Sequence, residues 1–192
     1  MAQTKSTRIE VTQLNMQKSR LAQIENLNKL NKTTNHFLQI IQEPYCFKGT
    51  LSLLPQNSRT IPYDRTGLPR AAITASKELN IEELTPICHR DLAAGLISLN
   101  NKQTAVLSVY LDINTTPVPD HLTNAIKYCK SKRYAILIGI DSNSQNSAWG
   151  HKDNKRGVKL LEYFVQVGLL VHNVGKTTLM NAPQANRSST YL

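Results

Sequence analysis

Residues 135–150 read AILIGIDSNSQNSAWG, an apolar run that stops on an acid. Ala135, Ile136, Leu137, Ile138 and Ile140 make a run of strand length, far too short to span a membrane. Its lack of polar alternation predicts a strand covered on both faces. Asp141 is the first charge after the run, and Asn143 follows two positions later. In α/β sheets, functional groups gather where strands end and loops begin. An acid and an amide at i and i+2 can share one face. Such an acid can hold a divalent cation, and such an amide can hydrogen-bond a phosphate oxygen. The same pair also makes a plain Asx-type turn that caps a strand exit, and this stretch alone does not separate the two readings.

Toward the N-terminus the pattern recurs. Residues 8–15, RIEVTQLN, predict a strand ending on Asn15, and residues 36–43, HFLQIIQE, a second strand closing on Glu43. Pro44 forbids a further ladder bond. Between them Leu21, Ile24, Leu27 and Leu30 predict a helix with one apolar stripe. A strand–helix–strand unit puts the two strand ends on one edge, so Asn15 and Glu43 are expected close together. Residues 45–70 read as loop, with Pro55, Pro62, Pro69, Gly49 and Gly67. Residues 71–75, 79–84 and 91–99 predict short strands, and residues 104–110, TAVLSVY, a strand ending on Tyr110. Asp120 is expected to cap a helix from His121 to about Ser131. Residues 156–167 predict a helix closed by Gly168, residues 169–171 a short strand, and the last residues the start of another. With no repeats, low-complexity tracts or internal linkers, the reading is one α/β domain.

At 192 residues with 40% apolar content, the chain can bury about 70% of its unfolded surface. No apolar segment suggests a membrane span or a signal peptide. Cys46, Cys88 and Cys129 are odd in number and widely spaced, which fits neither a disulfide framework nor a zinc site and suggests a reducing compartment, nucleus or cytoplasm. The N-x-S/T sequons at Asn31, Asn114 and Asn186 then read as chance matches. The net charge is +10, with clusters at Lys127, Lys130, Lys132 and Arg133 and at Lys152, Lys155, Arg156 and Lys159 on either side of residues 135–150. Basic flanks around an acidic site suit a polyanion, with nucleic acid the default. A P-loop is excluded at Gly175-Lys176-Thr177, because Leu170 stands where its first glycine belongs. His151 and His172 are isolated.

If the strands ending in Asn15, Glu43, Tyr110 and Asp141 share an edge, two carboxylates meet. Two such charges about 4 Å apart repel by roughly 4 kcal/mol at intermediate dielectric, and a divalent cation removes that cost. Oxygen ligands without His or Cys favour Mg2+ or Mn2+ over zinc, and Mg2+ needs few carboxylates. Glu43 and Asp141 are therefore the expected metal ligands. Tyr110 is placed to donate a hydrogen bond to a phosphate.

The ordered motifs QLN at Asn15, QEPY at Glu43, SVY at Tyr110, GIDSNSQNSAWG at Asp141 and RGVKLLEYF at Arg156 resemble the endonuclease/exonuclease/phosphatase family, whose members include DNase-I-like nucleases. In particular they are similar to the apurinic-type endonuclease domains of non-LTR retrotransposons, which lie upstream of a reverse transcriptase. The resemblance implies a two-sheet α/β sandwich spanning residues 8–192, with residues 1–7 a disordered tail. It implies a magnesium-dependent endonuclease that nicks target DNA, with DNA and a reverse transcriptase domain of the same polyprotein as partners. Glu43 would bind the metal, supported by Asn15; Tyr110 and Asn143 would contact the phosphate; Asp141 would orient or activate water and share the metal. Lys152, Lys155, Arg156 and Trp149 are the expected nucleic-acid contacts. The family continues to a final Asp-His pair, whereas this sequence stops at Thr190-Tyr191-Leu192. The expectation is a domain incomplete at its C-terminus, its last strands missing. The alternative function is a catalytically impaired nucleic-acid-binding remnant.

Overall fold

The computed structural model describes residues 9–32, 36–62, 67–99, 101–172 and 190–191. The expected tail at residues 1–7, and most of the segment after residue 172, lie outside the described residues. In chain order the elements are β1 (Ile9–Asn15), α1 (Arg20–Leu30), β2 (His36–Gln42), β3 (Cys46–Phe47), β4 (Thr50–Leu51), β5 (Ser58–Pro62), β6 (Ala71–Ser76), β7 (Glu82–Glu83), β8 (Leu92–Leu99), β9 (Lys102–Tyr110), α2 (Asp120–Ser131), β10 (Ala135–Asp141), α3 (Lys155–Gln166) and β11 (Thr190–Tyr191).

The strands form two main sheets. One has the order β1-β2-β6-β5, the other β11-β10-β9-β8-β7, and β3-β4 is a small separate hairpin. β1 runs parallel to β2, with Asn15 opposite Gln42. β10 runs parallel to β9, with Asp141 opposite Tyr110. Each sheet thus contains one parallel pair whose members end level with each other.

Side-chain alternation sorts the strands' residues into three cores. Leu38, Ile40, Ile73 and Ala75 of the first sheet meet Ala93, Ile97 and Val106 of the second. The opposite face of the second sheet, through Leu107, Val109, Ile138 and Ile140, packs on Leu122, Ile126 and Cys129 of α2 and on Leu160 and Phe164 of α3. Met16, Ile41 and Ala72 make a smaller core on the outer face of the first sheet. The result is the expected two-sheet α/β sandwich. Gly139 is what lets the sheets close at β10, since a Cβ there would sit 2.5 Å from Ile40 Cγ2.

Several local expectations need correction. The Leu21–Leu30 stripe of α1 is not its buried face: Leu21 is 70% exposed, whereas Gln23 and Asn26 are buried. Asn26 and Gln39 exchange amide hydrogen bonds of 2.9 Å in both directions, which satisfies polar groups that burial would otherwise penalise. The expected strand at residues 79–84 is a 3-10 turn, Lys77–Leu79, followed by the two-residue β7, because Asn80 takes a left-handed φ of 44° that breaks extension. Residues 45–70 hold three short strands, β3, β4 and β5, among their turns. Asp120 is the first residue of α2 rather than its cap. Residues 169–171 pair with no strand among the described residues; Leu169 instead donates its N–H to Phe164 O and closes α3. The predicted final strand exists as β11, antiparallel to β10, with Tyr191 opposite Gly139. Among the described residues, no helix is long and apolar enough to cross a membrane.

Candidate active site at the strand ends

Strand parity explains why the polar strand ends converge. Gln13 of β1, Ser108 of β9 and Gly139 of β10 each lie two residues before a strand end, and the alternation of β-strands gives residues two apart the same facing. These positions form a buried polar seam between the sheets. Gln42 donates to Gly139 O at 3.0 Å and to Ser108 Oγ at 3.2 Å. Gln13 donates to Ile140 O at 2.9 Å, and the Ser108 hydroxyl donates to Ile41 O at 2.7 Å. The seam locks the two sheets in register one layer below the rim. Two residues further on, the same facing carries Asn15, Tyr110 and Asp141 to that rim.

At the rim the sheets are joined directly. The Asn15 side-chain amide donates to Asp141 Oδ2, linking β1 to β10. The other Asp141 oxygen accepts the Asn143 backbone N–H at 3.3 Å. Burial pushes the Asp141 carboxyl above its ordinary range, and the Glu43 charge pushes the same way, against the Asn143 and Asn15 donors. Burial also raises the Tyr110 phenol, with the Glu43 charge adding to it and the Asn143 side chain opposing it. Glu43 thus acts electrostatically on both groups. Asn15, Tyr110, Asp141 and Asn143 are neighbours at the rim, and the Glu43 charge reaches both Tyr110 and Asp141.

Glu43 is held by its backbone. Its N–H donates to Arg70 O at 2.8 Å, and its carbonyl accepts the Lys18 N–H at 2.8 Å. The Lys18 ammonium lies 3.5 Å from Glu43 Oε1. Gln17, Lys18, Glu43 and Asn143 all have φ between 44° and 55°, a left-handed conformation that side chains rarely adopt and that clusters at functional sites. Asn143 uses its amide to donate to Leu111 O at 3.0 Å, and its side chain opposes the rise of the Tyr110 pKa. Its first visible task is therefore to tie its loop to the chain just after β9.

The expected nucleic-acid contacts divide. Lys152 and Lys155 are exposed. Trp149 is only 2% exposed, and its indole N–H donates to Ser144 O at 3.3 Å, so it packs inside the protein and offers no ring to a base. Arg156 is committed to backbone carbonyls: Ser142 at 3.3 Å, Thr115 at 2.5 Å, Ile113 at 3.4 Å and Asp112 at 2.8 Å. It clamps the loop after β9 to the loop after β10. The spacing of Arg156 matched the motif, but spacing carries no sign of these internal acceptors.

A second cluster, missed in the sequence, gathers around Arg70. Its guanidinium pairs with both oxygens of Asp91, at 2.5 and 2.7 Å, and with Asp112 at 2.6 Å. His89, Asp91 and His121 each bring one ligand atom within 4.8 Å of the others. A ligating imidazole presents its lone pair in the ring plane. Here the two rings stack, with centroids 4.5 Å apart and planes 7° apart, so those lone pairs run side by side instead of converging. Both Asp91 oxygens are also taken by Arg70. As arranged, Asp91 pairs with a guanidinium, and the two imidazoles do not converge on a shared point.

Two parallel strand pairs ending level across a sandwich, with an acid–amide bridge at the rim, define a DNase-I-like α/β sandwich. Residues 104–191, which contain Tyr110, Asp141 and Asn143, match the family described as endonuclease-reverse transcriptase. The chain resembles the endonuclease/exonuclease/phosphatase family in its retrotransposon branch. Among solved structures, the endonuclease domain of TRAS1, a telomere-specific non-LTR retrotransposon, superposes with a TM-score of 0.76 at 20% identity, covering 96% of this chain and 84% of that one. A humanized D. rerio TDP2 carrying 14 mutations gives a TM-score of 0.48 at 11% identity over 81% of this chain and 67% of that one. No curated protein sequence matches the chain.

Proposed function

We propose that this chain is a metal-dependent DNA endonuclease domain of a retrotransposon polyprotein, which hydrolyses a phosphodiester bond to nick target DNA beside a reverse transcriptase. The observation that carries this reading is the Asn15–Asp141 bridge, with Glu43, Tyr110 and Asn143 around it. Glu43 and Asp141 suit a hard divalent cation: the donors are oxygens, and Asp141 is a buried carboxyl within the field of a second acid. Bound there, Mg2+ or Mn2+ would polarise the phosphodiester and stabilise the leaving oxygen.

The chain's own residues supply the rest. Asn15 fixes one oxygen of Asp141 and leaves the carboxylate in a single orientation. A carboxyl displaced upward from its ordinary range is a better proton acceptor, so Asp141 is suited to orienting and deprotonating the attacking water. The phenol of Tyr110 donates to a phosphate oxygen. Lys152 and Lys155 attract the DNA backbone.

A plasmid assay tests the reading. Supercoiled DNA should be converted to open circles with Mg2+ and not with EDTA, and E43Q, D141N and Y110F should each lower the rate by about 10²- to 10⁴-fold. Salt-dependent DNA binding without any metal-stimulated nicking would favour the second reading, a nucleic-acid-binding remnant.

A further inference from the structure

We infer that Arg70 is a positioning residue, the strut that sets the Tyr110 ring and the Glu43 backbone for phosphodiester chemistry. This rests on the reading of Tyr110 and Glu43 given above and adds a residue to it. Arg70 immediately precedes β6, and its carbonyl accepts the Glu43 N–H at 2.8 Å, fixing the residue that leaves β2 in a left-handed conformation. Its guanidinium lies 4.8 Å from the centroid of the Tyr110 ring. One residue therefore touches Glu43 through its main chain and Tyr110 through its side chain, and it joins the two sheets.

Each guanidinium nitrogen faces a carboxylate. Asp91 takes Nε and Nη2 as a two-pronged pair, and Asp112 takes Nη1. The Arg70 side chain is 16% exposed. The pairing with Asp91, aided by Asp112, holds its charge so firmly that its pKa rises above the ordinary arginine value. Asp91 is itself tied in, since its carbonyl accepts the Tyr110 N–H at 2.9 Å. Arg70, Asp91 and Asp112 thus come from three segments, before β6, before β8 and after β9, and meet against one ring. A cation whose three nitrogens each face a carboxylate is built to hold a neighbour, not to grip a phosphate. Its charge also favours the ionised phenol, against burial and the Glu43 charge, and so limits the rise of the Tyr110 pKa.

The test uses the full chain labelled with 3-fluorotyrosine, with Y110F identifying the Tyr110 19F signal, in R70K, R70M and D112N. R70K keeps the charge and loses the planar fork. The expected result is a moved or broadened Tyr110 signal in R70K and R70M. Nicking kcat should fall by roughly 10²-fold, the scale of a small misplacement in a site, with KM for DNA unchanged. D112N, which leaves the Asp91 fork in place, should show the same changes in smaller degree. An unaltered Tyr110 signal would overturn the proposal, as would a raised KM with kcat intact, the mark of a DNA contact. If R70M fails to fold, R70K and D112N carry the decision. If the wild-type chain nicks no DNA, the functional reading fails, while the 19F signal still decides whether Arg70 sets Tyr110.

Discussion

Asn15 of β1 donates its side-chain amide to the carboxylate of Asp141 in β10, a residue 126 positions away in sequence and in the other sheet. This contact closes the rim of the sandwich and points an acid at whatever binds there. Its consequences reach stability as well as chemistry.

Asp141 carries a cost in the metal-free protein. Burial raises its folded pKa. For a carboxyl displaced upward, stability is greatest below the ordinary carboxyl pKa and declines as pH rises through the folded value. The charged form is the one that burial penalises. D141N should therefore melt at a higher temperature than wild type in EDTA, and should lose the upward shift that Mg2+ gives wild type. Equal melting of the two proteins in EDTA would contradict this.

His121 sets an acid limit on the fold. Burial, with the neighbouring His89, lowers its pKa to about 4. Between the ordinary histidine value of about 6.5 and about 4, the unfolded chain takes a proton that the folded chain refuses. Stability is thus lost as pH falls through that window. In urea unfolding, H121F should lose less stability than wild type between neutral pH and pH about 4.5. Parallel losses in both would remove His121 from the account.

Gly157 lets α3 dock against the loop that carries the site. A Cβ there would meet the backbone oxygen of Gln145 at 2.0 Å. G157A should destabilise by about 1–3 kcal/mol, the usual cost of overpacking, although alanine is the better helix former. Chemical denaturation reads this directly.

Charge removal should separate surface from clamp. K152A/K155A should flatten the salt dependence of DNA binding by at most about 2 in log–log slope, near 0.9 per phosphate contact, with the melting temperature unchanged. R156A should lower stability instead, because it removes the Arg156 donor from the carbonyls of Ser142, Ile113, Thr115 and Asp112, of which Asp112 O still accepts from Thr115. Denaturation and salt titration on the same proteins distinguish the two effects.

The strand ends were legible because alternation and abrupt polarity changes mark them: Asn15, Glu43, Tyr110 and Asp141 each stand at or just beyond the end of an apolar run. The parallel pairs followed from strand–helix–strand order. What the sequence hid depends on long-range partners. Gln23 and Asn26 look like the solvent face of α1 until Gln39 appears opposite Asn26. Arg70 sits in a loop-like stretch, and nothing local shows that Asp91 and Asp112 will meet it. Trp149 and Arg156 fit the motif, but their burial and internal acceptors exist only in three dimensions.

The central claim is that Glu43 and Asp141 share one divalent cation at the rim. The most direct measurement is an anomalous difference map from crystals of the wild-type chain soaked in Mn2+. The account predicts one strong peak between the Glu43 and Asp141 carboxylates, absent in E43Q. A peak at His89, Asp91 and His121 instead, or none near Glu43 and Asp141, would contradict it.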